Sequence, residues 1–489
     1  MESPGGGGGG GGGGGVSLLA LAEDGECVVQ LSGKDLIYHS DVASPELRGV
    51  QFVRGKENLQ GSMKHLKFSR YCQGNVSDRR VLCSSESRIS VWQLNPLQLY
   101  ADIEGIESGT LNIDFGSDEN EVIVFHPWNT KLAIHSLDSG RSQVIKSPKF
   151  SHPNGFGYRS KTRQLAILLK PEASDLLTIH EFQSYELINR AVLPTVDAQG
   201  LKWSPDGTWI AVWETASAGT KVVIYTADGQ LYRTYTGPPG EDSTFDLGVK
   251  AIEWAPADSR TGSSELLAVA KVDGNIDILT SGTFSCSVSL SHVYRLDQNF
   301  PAIWRENATA ADGTLNYIES SGSAAFSAIG EPTAPPRGVS TLTFSPDGRL
   351  LASVDQQRPN IVWLWSFEIA PRLVTAFVHD SPVRQAAWHP WKPELLITTA
   401  NSALPVVRHW IPGSDPAIIH VPVKRNDTGR YDVRWLASHE HKQSTFWVGS
   451  SDELVLGHLS TEGDIRSFHS IYTVMGKSQA GSSIASVNR

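Results

Sequence analysis

Two stretches of this chain are near-copies of each other, and they restrict its fold more than any other feature. Leu201-Lys202-Trp203-Ser204-Pro205-Asp206-Gly207-Thr208-Trp209-Ile210-Ala211-Val212 matches Leu342-Thr343-Phe344-Ser345-Pro346-Asp347-Gly348-Arg349-Leu350-Leu351-Ala352-Ser353 in pattern. Each reads as an alternating strand, a turn and a second, more apolar strand. The turn is specified locally: proline presets φ at the second position, aspartate caps through its side chain, and glycine takes the left-handed position. Alternation in the flanks marks strands with one buried face.

Weaker copies keep the same phase. Ile252-Glu253-Trp254-Ala255-Pro256, Ala386-Ala387-Trp388-His389-Pro390, Val433-Arg434-Trp435-Leu436, Leu66-Lys67-Phe68-Ser69 and Ile113-Asp114-Phe115-Gly116 open further units, and fainter ones start at Gly155 and Leu19. Third strands follow, such as Ile89-Ser90-Val91-Trp92 and Ile361-Val362-Trp363-Leu364-Trp365. Asp228-Gly229 marks a hairpin into a fourth strand. The units begin near residues 18, 64, 110, 154, 199, 249, 339, 382 and 431. Their spacing of about 40–50 residues is the period of WD-type propeller blades. A β-sandwich would not repeat one turn in phase so often. The expected fold is therefore all-β: a WD-repeat β-propeller of about seven to nine degenerate four-stranded blades in one large ring, with two smaller propellers as the alternative.

The repeats are degenerate. Trp-Asp, which names the motif, is absent; its place reads Trp92-Gln93 in one unit and Trp365-Ser366 in another, and no unit opens with the usual Gly-His pair. The hydrogen-bond network of Asp, His, Ser and Trp that ties well-formed blades should then be mostly missing, leaving apolar packing between neighbouring sheets.

The period divides the chain. Residues 1–15, with eleven consecutive glycines, read as a disordered tail. Val16–Ala22 resembles a signal-peptide core but has no positive flank and reads as a first strand. About six blades occupy 16–292, a partly flexible inter-blade insertion 293–338, about three blades 339–470, and a Ser/Gly/Ala-rich disordered tail 471–489. Within the insertion, Leu315-Asn316-Tyr317-Ile318 is a candidate strand.

Chemistry is sparse. The net charge is −10 and no Lys/Arg run exceeds two residues, which speaks against nucleic-acid binding through a basic face. No apolar run is long enough to span a bilayer. The four cysteines (Cys27, Cys72, Cys83 and Cys286) form no metal-binding or disulfide framework. Gly476-Lys477-Ser478 lacks the earlier glycine of a phosphate loop, and His439-Glu440-His441 sits in a polar turn without a further ligand in sequence. The expectation is no enzyme, with no catalytic, cofactor-binding or metal residue and no small-molecule substrate. Two His-Pro-Trp triplets nominate Trp128 and Trp391 as protein-interaction residues, because Trp combines a large apolar area with one donor. A packed inter-strand turn is the competing and simpler reading, since His389-Pro390 occupies the Ser-Pro turn position of other repeats. Among the Ser-Pro dipeptides, Ser147 lies between units and is the candidate phosphorylation site.

The stretch from Gly200 to Leu290 resembles the spindle-pole and centrosomal WD-repeat family (WD repeat-containing protein eight, antisense-to-tumour-protein type) in a fungal-like form. The residues that carry this are Ile210-Ala211-Val212-Trp213-Glu214, Ile224-Tyr225-Thr226-Ala227-Asp228-Gly229 and Leu267-Ala268-Val269-Ala270-Lys271-Val272-Asp273-Gly274-Asn275-Ile276. A long insertion follows, and then Asn360-Ile361-Val362-Trp363-Leu364-Trp365 and Ser381-Pro382-Val383-Arg384. The polyglycine head and the poorly matching first blade depart from the family. The resemblance implies a scaffold in the cytoplasm and cytoskeleton that anchors microtubule minus ends at the spindle pole body or centrosome. Its implied partners are a coiled-coil spindle-anchoring protein and a minus-end-directed kinesin. A general WD-repeat adaptor in translation initiation or ubiquitin-ligase assembly is the alternative.

Overall fold

The computed structural model describes residues 17–54, 59, 63–69, 79–238, 246–257, 265–292, 302–308, 314–320, 337–400, 402, 404–424, 429–437, 443–450, 453–463 and 465–475. The polyglycine head, the 438–442 turn with its two histidines, Gly476-Lys477-Ser478 and Cys72 lie outside them.

The described strands form nine sheets in chain order, one per repeat unit, and all but the seventh are wholly antiparallel. Their innermost strands begin at residues 17, 65, 112, 156, 198, 249, 339, 383 and 432. Eight sheets have four strands and the seventh has six. We number them blades 1 to 9. The fold is a nine-bladed β-propeller with four-stranded antiparallel blades.

Packing shows why nine blades close into one ring and not two. The described core resolves into nine apolar clusters, each shared by two neighbouring blades. The last joins blade 9 to blade 1, through Trp447, Leu456 and Val474 against Val28 and Val42. Hydrogen bonds reinforce that seam: Trp447 Nε1–H donates to Gly25 O at 2.7 Å, Ala437 N–H to Asp24 O at 2.8 Å, and Arg434 to Leu21 O at 3.1 Å. The two-propeller alternative fails because, among the described residues, blade 1 packs on blades 2 and 9 and every other cluster joins consecutive blades.

The near-copies fold as their sequence specifies. Ser204 Oγ bonds Asp206 and accepts Trp209 N–H at 2.9 Å, and Ser345 Oγ does the same with Asp347 and Leu350 N–H at 3.0 Å. Gly207 and Gly348 take φ +72° and +70°. Both serines are buried.

The segment 293–338 contributes two strands, Ile303–Ala308 and Leu315–Ser320, which pair antiparallel as a hairpin. The hairpin does not stand apart from the blades. Ile303–Arg305 pairs in parallel with the outer strand of blade 7, Arg372–Val378, and this makes the six-stranded sheet. At the other end, the outer strand of blade 9 runs Ile465–Met475, so residues 471–475 are strand and not tail.

Candidate interaction surfaces

In an antiparallel meander, successive loops lie on opposite sides of the ring. One face carries the links between blades and the loops joining second to third strands. The other carries the first-to-second loops, with the Ser-Pro-Asp-Gly turns, and the third-to-fourth loops. We call these the upper and lower faces.

What holds the faces rigid differs from the sequence expectation. Apolar packing is not alone. Trp203 Nε1–H donates to Gly157 O at 3.0 Å, Trp254 to Lys202 O at 3.3 Å, Trp388 to Thr343 O at 3.0 Å and Trp435 to Ala387 O at 2.9 Å. Each acceptor directly precedes the aromatic residue on the previous blade's inner strand: Tyr158, Trp203, Phe344 and Trp388. One repeated residue therefore both fills a seam and latches it, with each bond contributing about 1 kcal/mol. The tryptophans were visible in sequence. Their acceptors are main-chain carbonyls and leave no sequence signature.

The expected loss of the Asp/His/Ser/Trp network also has an exception. In blade 7, Trp365 Nε1–H donates to Ser353 Oγ at 2.9 Å, and Ser353 Oγ lies 2.9 Å from His292 Nε2. His292 Nδ1 bonds Gly274 O, which assigns the proton to that nitrogen. Burial holds the His292 pKa below its usual value, so the ring is neutral.

Along the channel wall, charges are paired between blades. Lys67 reaches Asn112 and Asp114 at 3.1 Å, and Arg384 grips Asp432 at 2.7 and 2.9 Å. Among the described residues there is no group of three metal-capable side chains, and no helix is long and apolar enough to cross a membrane. Burial pushes the Cys27 and Cys83 thiols up to about 12, which makes them poor nucleophiles.

Trp128 lies in a second-to-third-strand loop, on the upper face, and is 92% exposed. The loop beneath it is tightly held. Glu107 pairs with His126 at 3.1 Å and Lys131 at 3.2 Å, Thr130 N–H bonds Pro127 O, and Asn129 Nδ2 reaches Lys149 O at 3.1 Å. Trp128 and Asn129 adopt φ 59° and 53°, a left-handed pair that is uncommon for a bulky residue. Strained backbone of this sort persists only where the surroundings impose it, and it clusters at functional sites.

Ser147 is brought to the same place. Its N–H donates to Thr130 O at 2.9 Å and its carbonyl accepts Lys170 N–H at 2.9 Å; its own φ is 55° and it is half-buried. Trp391, in a first-to-second-strand loop, is on the lower face. It is 54% exposed, and its Nε1–H donates to Ala437 O of blade 9 at 3.1 Å. The structure thus joins Trp128 to Ser147 and sets Trp391 on the opposite side, partly employed in a seam. Exposed apolar residues missed in sequence lie on the same two faces: Leu111, Val196 and Leu247 above, Leu47 and Ile369 below. Nothing in their local sequence separates them from buried neighbours.

No family model matches the chain. It is 26% identical to mouse WD repeat-containing protein WRAP73 over 66% of this chain and 72% of that protein. It is 23% identical to an uncharacterised WD repeat-containing protein of Schizosaccharomyces pombe, over 82% and 84% of the two chains. A solved structure with a similar fold is the C-terminal WD40 domain of Sif2, at a TM-score of 0.43 and 8% identity, covering 83% of this chain and 97% of that one. Hsv2 of Kluyveromyces marxianus gives 0.36 and 9% over 73% and 96%. The chain's relatives are WD repeat-containing proteins.

Proposed function

We propose that this protein is a non-catalytic scaffold that anchors microtubule minus ends at the spindle pole body or centrosome. In this reading it works in the cytoplasm and cytoskeleton with a coiled-coil spindle-anchoring protein and a minus-end-directed kinesin. The observation that carries the scaffold reading is the placement of Trp128: a large apolar side chain, almost wholly exposed, on a loop that is itself fixed. Such a residue lowers the ordering cost of binding. Trp391 on the opposite face supplies a second anchor, so one ring can hold two partners and raise their effective concentration at one place. The spindle-pole part of the reading is supported by the resemblance of residues 200–290 and of the segments after the insertion to that family.

Imaging the tagged endogenous protein through mitosis beside a pole marker, with identification of co-purified proteins, tests both parts. Focal pole signal together with a coiled-coil partner and a kinesin is the expected result. Diffuse signal with ribosomal or ubiquitin-ligase subunits as the main partners would replace the anchoring role with that of a general adaptor.

A further inference from the structure

The hairpin from the insertion treats the rim of the ring as a docking site. Among the described residues, the outer strands of the other blades, such as Gly49–Arg54 and Leu231–Tyr235, end their sheets with an unpaired edge. An unpaired edge is a template for strand addition. In blade 7 that edge is filled by Ile303–Ala308, in parallel register with Ile303 opposite Ala376, Trp304 opposite Phe377 and Arg305 opposite Val378. Thr375 Oγ1 fixes the entry by donating to Ala302 O at 2.7 Å.

Side chains alternate across this added strand as they do in peptide recognition by strand addition. Ile303 is fully buried in the seam between blades 6 and 7, and Trp304 packs on the seam between blades 7 and 8. Two residues beyond Trp304, on the same side, Glu306 meets Arg408 of blade 8 at 2.7 Å, with both side chains at least 97% buried. Arg408 keeps Nε and Nη1 with no hydrogen-bond partner in the described structure, and Glu306 leaves Oε2 unmatched. The guanidinium is thus a buried receptor with more donors than its present carboxylate uses. An ion pair buried with groups unmatched contributes little net stability, because desolvation offsets the attraction. The parallel ladder is also short, at three registered pairs.

We propose that the outer edge of blade 7 is a strand-docking site for an extended partner segment with a branched aliphatic residue, an aromatic residue next to it and a carboxylate three positions after the first. The hairpin at 303–320 is the chain's own occupant of that site. A partner segment displaces the hairpin, pairs with Arg372–Val378 and satisfies Arg408 with both carboxylate oxygens. This inference does not depend on where in the cell the scaffold works.

The test uses the full chain and a fluorescein-labelled peptide Ala-Ile-Trp-Arg-Glu-Asn-Ala, the sequence of residues 302–308. Since an occupied site lowers apparent affinity in proportion to the open fraction, Glu306→Ala, which strips the hairpin of its charge partner, is expected to bind the peptide at least tenfold more tightly than the unmodified chain. Replacing the peptide's glutamate by glutamine is expected to cost at least tenfold. Native-state hydrogen exchange on the unmodified chain gives an independent check that needs no variant: amides of 303–308 are expected to exchange in an opening that leaves blades 1 to 6 protected. Exchange of 303–308 only through global unfolding would overturn the proposal. So would equal peptide binding with and without the glutamate, or formation of a hairpin-swapped dimer in place of peptide binding, which would make the occupant a second copy.

Discussion

Blades 5 and 7 carry the two near-copies and build the same turn, yet they secure their upper ends differently. Aligning the copies pairs Val212 with Ser353, Trp213 with Val354 and Glu214 with Asp355. On the third strand, Tyr225 sits opposite Ile210 where blade 7 has Trp365 opposite Leu351. Blade 7 therefore has the Ser and Trp of a side-chain relay to His292. Blade 5 has neither and uses a carboxylate instead. Fully buried Glu214 accepts Val196 N–H at 2.7 Å, Asp197 N–H at 2.8 Å and Thr215 N–H at 2.9 Å, and so captures the link from blade 4 directly. Both devices do one job: they tie the incoming inter-blade link to the end of the second strand. A conserved turn thus sets where the strands go, and two or three later residues choose the chemistry of the tie.

The comparison can be broken most severely at Glu214. Glu214→Ala leaves three main-chain donors without their acceptor and is expected to destabilise the protein by about 3–5 kcal/mol, read as a shift in denaturant midpoint. In blade 7, Ser353→Val, which installs the blade 5 residue, removes the shared partner of Trp365 and His292 and is expected to cost about 2–3 kcal/mol. Adding Trp365→Tyr should cost less in that background than alone, because the donor has already lost its partner; a double-mutant cycle measures the coupling.

Acid sharpens the contrast. Blade 7 is flanked by two buried neutral histidines, His292 and His379, the latter lowered to about 3 by burial and by nearby Arg408. A depressed folded pKa means that the unfolded chain binds the proton first. The stability these residues contribute is whole above the unfolded value of about 6.5 and falls away as pH drops toward the folded value. Hydrogen exchange at pH 7 and pH 5 is expected to show a larger loss of protection in residues 339–378 than in 198–235. Equal losses would mean that the histidines are not neutral in the fold.

The latches give smaller effects. Trp254→Phe keeps the ring and loses one bond, for about 1 kcal/mol. Trp128→Gly should leave stability unchanged or raise it by up to about 1 kcal/mol, because glycine accepts the left-handed backbone without strain. The same change is expected to abolish capture of an upper-face partner, and undiminished capture would remove Trp128 from the binding surface.

Much of the architecture was legible because its determinants are local. The Ser-Pro-Asp-Gly turns and the alternation around them placed all nine inner strands within two residues of where they lie. What escaped was long-range. The histidine of blade 7 is separated from Val339 by the whole insertion, so no Gly-His pair at the start of a unit could announce it. The hairpin's partner strand, Arg372–Val378, comes later in the chain than the hairpin, and parallel pairing has no turn to signal it. For the candidate site, sequence selected Trp128 from its residue type and its His-Pro-Trp triplet, neither of which reports exposure. Its exposure depends on Glu107 and Lys149, which belong to the links on either side of blade 3.

Ring closure has a mechanical consequence. Among the described residues no strand is shared between blade 1 and blade 9; the seam is made of side-chain bonds from Trp447, Arg434, Gln30 and His39, the stacking of Arg48 on Tyr472, one main-chain bond from Ala437 to Asp24 and an apolar cluster. Every other junction is also crossed by the continuous chain. Under tension the molecule is a split washer, and a load applied across it opens at blades 9 and 1 before it peels any sheet. Partners gripping blades on either side of that gap would feel a compliant joint, whereas partners gripping blades 4 and 5 would be joined by covalent chain.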